Sequence, residues 1–356
     1  MAKGKRGVAL ISDTHYHPFA RFSTRTDTGM NSWVEEWLGV FDKVCSDCEG
    51  VVSEIWHCGD VFHSGARLST PTFNAVRRAY RHANKHIPIR LIVGNRDMAS
   101  MKGEHNILDA FGDVVTEVVS HTTLWRQFPG SESTYYAMMP WMDSSDNVKK
   151  ALKRLKKDAP DDAKRCMLIG HLAVHGAAAG RCEYVPQSPI GMKDFEFLDN
   201  VFLGHFHHTQ ALNESIVYVG SLHSMDFNDA NDEKGFMLLN EDGMTLKQTP
   251  PSTRFLVVDR RGPAEDEPTD VAGAVVRIDY DTPIDEDMTR IAYTNAGARA
   301  VTFKNYTKHE SQARVQREEG SEEPTLQEYL EAYVERNAGD LDPTELMTQG
   351  HKLIAN

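Results

Sequence analysis

Short apolar runs recur along the first 240 positions, at residues 8–11, 51–56, 89–93, 167–169, 201–203 and 216–219. Each is strand-length, and most are followed at once by polar segments bearing glycine or histidine. Helical spacing appears between them. Trp33, Trp37, Leu38, Phe41, Val44 and Cys45 share one face behind Asn31 or Ser32, either of which can cap the helix. A second helix is predicted over 72–84 and a basic third over 146–157. Alternating strands and helices predict a layered α/β domain with buried sheets, parallel or mixed. The pattern changes after about residue 250. Strand-like runs fall at 255–258, 274–278 and 300–303, with a Pro- and acid-rich loop over 262–270. The stretch Glu-Glu-Gly-Ser-Glu-Glu-Pro at 318–324 reads as a linker, and two narrow amphipathic helices follow at 325–336 and 343–353.

Composition narrows the class. The 356 residues are 40% apolar and 26% charged, ordinary values for a soluble globular protein. No apolar run reaches the ~18 residues of a membrane span. The apolar run at 8–11 is too short for a signal sequence. Five cysteines, an odd and sparse set, fit a reducing cytoplasm rather than a disulfide framework. The formal net charge of −13 argues at first against a nucleic-acid partner. Its distribution weakens that argument. Basic and acidic residues number 15 and 14 over 1–130, 11 and 15 over 131–240, and 13 and 23 over 241–356. The acidity lies mainly in the C-terminal third.

The ends of the apolar runs share a theme: Asp13-Thr14-His15, Gly59-Asp60, Gly94-Asn95-Arg96-Asp97, Gly170-His171 and Gly204-His205-Phe206-His207. Ligands of open α/β sheets bind outside the carboxyl ends of the strands, so these loops are expected to converge. Singly, each is an ordinary turn or loop. Jointly, they supply too many carboxylate, imidazole and amide ligands for one divalent ion and suit two ions sharing a carboxylate. Asp60 is the natural bridge. Thiolate-free ligation favours Mn²⁺, Fe²⁺ or Zn²⁺ over Ca²⁺ or Mg²⁺. Two such ions suit phosphoester hydrolysis, because they acidify water and neutralise charge on the phosphoryl oxygens.

This order of motifs resembles the calcineurin-like metallophosphoesterases. The resemblance covers roughly the first 225 residues. It implies a four-layer βαββ-sandwich, with Asp13, His15, Asp60 and His207 holding one ion and Asp60, Asn95, His171 and His205 the other. Gly29-Met30-Asn31-Ser32, Gly59-Asp60-Val61-Phe62-His63, Tyr218-Val219-Gly220-Ser221, Met225-Asp226-Phe227 and Glu233-Lys234-Gly235-Phe236 further resemble the SbcD-type DNA repair exonucleases, in a short, phage-like version. That likeness implies a nuclease core over 1–249, a small capping domain over 250–317 and a linker with a C-terminal helical pair over 318–356. It implies Mn²⁺ as cofactor, and DNA and an SbcC-type SMC-like ATPase as partners. It also implies a homodimer without membrane attachment, in a bacterial or phage-infected cytoplasm. In the family a residue matching His63 helps place the DNA phosphate; a polar rim residue is the plainer reading.

One position departs from the family. Its third motif is Gly-Asn-His-Asp, where this chain has Arg96. Arginine stays protonated, with a pKa above ~12, and is no general acid near pH 7. It offers fixed charge and a donor fork. Arg96 is thus an electrostatic stabiliser with water, His63 or His223 as proton donor, or the mark of a slow or silent nuclease, or an introduced substitution. Asp97 is expected to pair with it. A phosphatase acting on a non-DNA substrate and a non-catalytic binding subunit are the competing functions.

Cys45 and Cys48 read as packing residues, Trp33 and Trp37 as core. His17, His57, His175 and His208 read as flanking groups that orient ligands or face solvent. Arg77, Arg78, Arg81 and Lys85, and the lysine-rich 149–157 helix, read as solvated faces, with DNA-phosphate contact as the sharper alternative.

Overall fold

The computed structural model describes residues 7–100, 105–180, 188–230, 232–249, 252–261, 270–307, 330, 331, 333–335 and 342–354. Strands β1 (Val8–Ile11), β2 (Glu54–His57), β3 (Ile89–Ile92) and β4 (Glu117–Val119) form a parallel ladder. The hairpin β11 (Gly235–Asn240) and β12 (Gly243–Gln248) extends it antiparallel beyond β1. The second sheet has the order β5-β6-β7-β8-β10-β9. Its members are β5 (Arg126–Gln127), β6 (Thr134–Met139), β7 (Arg165–His171), β8 (Asn200–Gly204), β9 (Gln210–Ala211) and β10 (Ile216–Tyr218). Its four central strands are parallel and both edge pairs are antiparallel, so both sheets are mixed.

Three cores make four layers. Between the sheets, Val8, Leu10, Trp56 and Ile92 meet Tyr136, Met138, Met167, Ile169 and Phe202. On the outer face of the first sheet lie α1 (Ser32–Cys48) and α2 (Thr70–Ala83), burying Trp37, Phe41, Val44, Val76 and Tyr80. On the outer face of the second, α3 (Ser145–Lys157) buries Val148, Leu152 and Leu155. Asn31 caps α1 by accepting from the Trp33 amide at 2.9 Å. Cys45 and Cys48 are free thiols buried in this packing.

The two sheets are also tied by charge. Glu54 on β2 grips Arg90 on β3 (2.6 and 3.1 Å), Arg90 reaches Glu117 on β4, and Glu117 grips Arg126 on β5 of the other sheet (2.5 and 2.7 Å). The hydrogen bond from Arg126, helped by Arg90, holds the Glu117 carboxyl below the usual range. A depressed carboxylate stabilises the fold above its unfolded pKa of ~4.3 and loses that contribution as pH falls through the folded value. Glu117→Gln is expected to cost about 1 kcal/mol at neutral pH. In urea titrations, wild type and variant should converge as pH falls below the carboxylate range.

The third sheet comprises β13 (Phe255–Arg260), β14 (Val275–Tyr280) and β15 (Ala300–Asn305), with α4 (Glu286–Asn295) closing a small core around Val276, Ile278 and Tyr293. These elements belong to the same compact unit as both large sheets, a unit made of Met1–Tyr280 and Ile284–Lys304. Arg299 joins them to α1. It bonds Glu36 at 3.1 Å, Ser32 at 3.1 Å and Thr253 at 2.6 Å, and it lies 4.3 Å over the Trp33 ring. Asp281–Pro283 and Asn305–Asn356 form a second unit, in which α5 spans Pro343–Ile354. The linker at 318–324 and most of the 262–270 loop and 325–336 helix lie outside the described residues. Among the described residues no helix is long and apolar enough to cross a membrane.

Candidate metal centre

The loops after β1, β2, β3, β7 and β8 meet at one edge of the sandwich. Backbone bonds draw the first two together: Asp13 N to Gly59 O at 3.1 Å, His15 N to Asp60 O at 3.0 Å and Tyr16 N to Val61 O at 2.9 Å. This close run forces unusual backbone. Asp13 (φ 51°), His15 (43°), Asp60 (58°) and His205 (105°) are left-handed, four of the five such non-glycine residues described. Each costs of order 1–3 kcal/mol, and such strain persists only where the surroundings impose it. The loop glycines have steric reasons. A Cβ on Gly59 would strike the His171 ring, and one on Gly94 would strike the Asp60 carboxylate.

The side chains fall into two groups. In one, His15 Nε2 lies 3.1 Å from His207 Nε2 and 3.6 Å from Asp13 Oδ1. In the other, Asn95 Oδ1 lies 3.0 Å from both His171 Nε2 and His205 Nδ1. Asp60 stands between, with Oδ2 3.5 Å from His15 and Oδ1 3.5 Å from His171. Asp13 is within reach of both groups: its carboxylate and the ligand atoms of His15 and His207 all lie within 4.8 Å, as do those of Asp13, Asp60 and His171.

The donors require a cation. His171 gives its Nδ1 proton to Cys58 O at 2.8 Å, which leaves the Nε2 lone pair aimed at two oxygen acceptors, Asn95 Oδ1 and Asp60 Oδ1. Lone pairs converging in a buried site repel unless a positive charge lies among them. Without a metal ion, a proton takes that place. Burial pulls the His171 pKa down, but the Asp60 carboxylate outweighs it and lifts the ring to about 9. Burial raises Asp13 too, yet the His15 hydrogen bond and the His171 and His207 charges hold its carboxyl well below the usual range. The residues present therefore fit a pair of divalent cations.

Arg96 and Asp97 do not pair. Asp97 is fully buried and accepts three backbone amides: Asp60 N at 3.0 Å, Gly94 N at 3.0 Å and Phe62 N at 2.9 Å. These amides satisfy the carboxylate inside the fold, where an exposed guanidinium does not follow. Arg96 gives only its backbone N–H, to Asp60 Oδ1 at 2.7 Å, and its side chain is exposed. Asp97 is thus a strut between two ligand loops.

His63 is half-buried at the rim, its ring 5.5 Å from that of His15. Burial, His15 and the Arg96 charge push its pKa down to about 4, so the ring is neutral near pH 7. His223 is no proton donor to a substrate. It is fully buried, stacked on Trp37 at 4.3 Å, and burial keeps it neutral. Among the flanking histidines, His57 is a buried orienting group, bonding Thr14 Oγ1 at 3.1 Å and accepting Gly59 N at 3.2 Å. His175 and His208 face solvent. Arg77 and Arg81 are both engaged by Asp113.

Trp141 and Asp229 were missed in the sequence, and Lys234 was noted there only as part of a motif. Trp141, just after β6, stacks on His205 at 5.3 Å. Asp229 lies 3.5 Å from His207 Nδ1, and the buried Lys234 holds Asp229 and the His207 carbonyl at 3.1 Å each. Asp229 fixes the His207 proton on Nδ1 and frees Nε2 for a cation. Asp229→Asn is expected to weaken Mn²⁺ binding by about 10–100-fold in titration calorimetry. Unchanged affinity would show that His207 needs no such anchor.

Residues 7–209 match the family model of the calcineurin-like phosphoesterases. The chain belongs to that family. Members bind divalent metals, and the Asp and His clusters of this phosphoesterase are of that kind. A segment of 95 residues is 33% identical to the SbcD component of the SbcCD nuclease from Staphylococcus epidermidis, spanning a quarter of each chain. Among solved structures, a dimetal phosphatase from Danio rerio matches over 69% of this chain and 96% of its own, with 9% identity and a TM-score of 0.43. A Pseudomonas putida nuclease, MPE, matches over 65% and 84%, with 14% identity and a TM-score of 0.32.

Proposed function

We propose that this phosphoesterase is a nuclease subunit that cuts DNA phosphodiester bonds with two Mn²⁺ ions, as partner of an SMC-like ATPase in DNA repair or recombination. The observation that carries phosphoester hydrolysis is Asp60, which presents one oxygen to each of two ligand groups. The partial identity to a component of the SbcCD nuclease supports DNA as substrate. Two divalent cations in these groups supply an acidified water and neutralise charge on the phosphoryl oxygens. Asp60 and Asp13 supply the negative charge that holds both cations. Asn95, carried beside Arg96, completes the second group. Arg96 gives a fixed positive charge to a phosphate oxygen, and His63 gives a neutral N–H.

In this reading, residues 250–317 cap the DNA-facing edge and 318–356 dock on the ATPase. The chain acts as a homodimer in a bacterial or phage-infected cytoplasm. The C-terminal acidity, 13 basic against 23 acidic residues over 241–356, leaves most of the backbone grip on DNA to the partner. Digestion of labelled duplex in Mn²⁺, beside hydrolysis of a nitrophenyl phosphate, tests the assignment. Duplex cleavage supports it. Phosphatase turnover without DNA cleavage would give the chain a small-molecule substrate. Full metal occupancy without any cleavage, with or without the ATPase, would make it a binding subunit.

A further inference from the structure

A recess of about 350 Å³ opens directly beside the metal centre, and His63 and His207 belong to both. Its walls are aromatic: Phe19, Phe22, Trp33, Phe227 and Phe255. Phe227 meets Phe255 edge-to-face at 5.2 Å, and Phe255 stacks on Trp33 at 5.9 Å. Arg277 lies 4.8 Å over Phe227. Phe22 has φ 60°, the one left-handed non-glycine residue described that is not in the ligand set. An aromatic side chain is costly there. Neighbouring bonds impose the turn: Trp33 Nε1 gives to Arg21 O at 2.9 Å and Ser23 Oγ to Phe19 O at 2.6 Å. The Phe22 ring lines the recess, with the Arg21 guanidinium over it at 4.6 Å.

We propose that this recess seats an unstacked nucleobase of the strand being cut, an inference that rests on the nuclease reading above. Because His63 and His207 line the recess and stand at the metal centre, a phosphate held at that centre has the recess beside it. Its volume is at the small end of ligand pockets, ~300–1,000 Å³. Its lining also carries a carboxylate, Asp226, and the cationic Arg21. That carboxylate disfavours a second phosphate and leaves room for a flat, neutral group. Aromatic walls accept any base, since every base has a π-face. The recess therefore selects strands that are single or frayed at the cut, without selecting sequence.

The test needs no variant to begin. A single-stranded oligonucleotide carries a short block of abasic residues, and cleavage is resolved phosphate by phosphate in Mn²⁺. Wild type should cut within the block about 10- to 100-fold more slowly than outside it. Phe227→Ala should cut both regions at the same slow rate, and Phe227→Leu, which keeps the apolar fill, should lose less. Metal binding by calorimetry serves as the folding control. Equal wild-type rates inside and outside the block would overturn the base seat and leave the nuclease reading standing. No cleavage anywhere, with metal bound, would overturn both.

Discussion

Asp60→Asn is expected to remove phosphoester hydrolysis and to lower bound metal from two ions to at most one. The substitution keeps the shape of the side chain and removes its charge. Asp60 presents a different oxygen to each ligand group, with His15 3.5 Å from Oδ2 and His171 3.5 Å from Oδ1. An amide offers one acceptor oxygen and turns two N–H donors toward the other group. Either orientation therefore leaves one cation without its ligand. The loss should exceed the ~10²–10³-fold cost of deleting a single transition-state donor. The fold should survive. The Asp60 backbone amide still bonds Asp97 at 3.0 Å, and the buried Asp97 carboxyl, lifted to about 7 by burial and by Asp60, is relieved of a neighbouring charge. Elemental analysis gives the metal count, and near-ultraviolet dichroism gives the folding control. A variant that keeps two ions and its rate would show that Asp60 does not bridge.

The ligand loops were legible because each is a sharp polar interruption after an apolar run. The strand ends also fix their order, so convergence followed from topology. Arrangements that depend on partners distant in sequence were not legible. β6 (Thr134–Met139) is an inner strand of the second sheet, yet Tyr135, Tyr136 and the two methionines show no clean alternation, since most of the strand is buried on both faces. The β11–β12 hairpin carries an Asp-Gly turn signal at Asp242-Gly243, but β12 is mostly exposed and lacks an apolar stripe. α2 begins at Thr70 with Pro71 in its first turn, where the pattern suggested a start two residues later. Asp97 stood next to Arg96 in sequence, and adjacency suggested a pair. Three amide donors from two loops decide its orientation instead. Lys234 stood in a quoted motif and Asp229 in none, and the roles of both arise from His207, over 20 positions earlier.

Arg96→Ala is expected to lower the hydrolysis rate by about 10²–10³-fold, the effect of removing one fixed donor from a developing negative charge. The guanidinium is exposed beside the ligands and free of Asp97, and its charge already depresses His63. Metal binding should be retained, because the contact between residue 96 and Asp60 is made by the backbone amide at 2.7 Å. Arg96→His separates charge from proton donation. A histidine there is cationic only below its pKa, ~6.5 when unperturbed, and two nearby cations push it lower. The wild-type rate profile between about pH 5 and 9 is the reference. With the histidine variant, a dependence on its protonation should appear in that range. If the histidine variant is faster at its optimum, proton donation is what this chain lacks. If it is slower at every pH, permanent charge is what the site uses. An Arg96→Ala rate equal to wild type would remove Arg96 from the chemistry and leave the metal ligands and His63 to carry it.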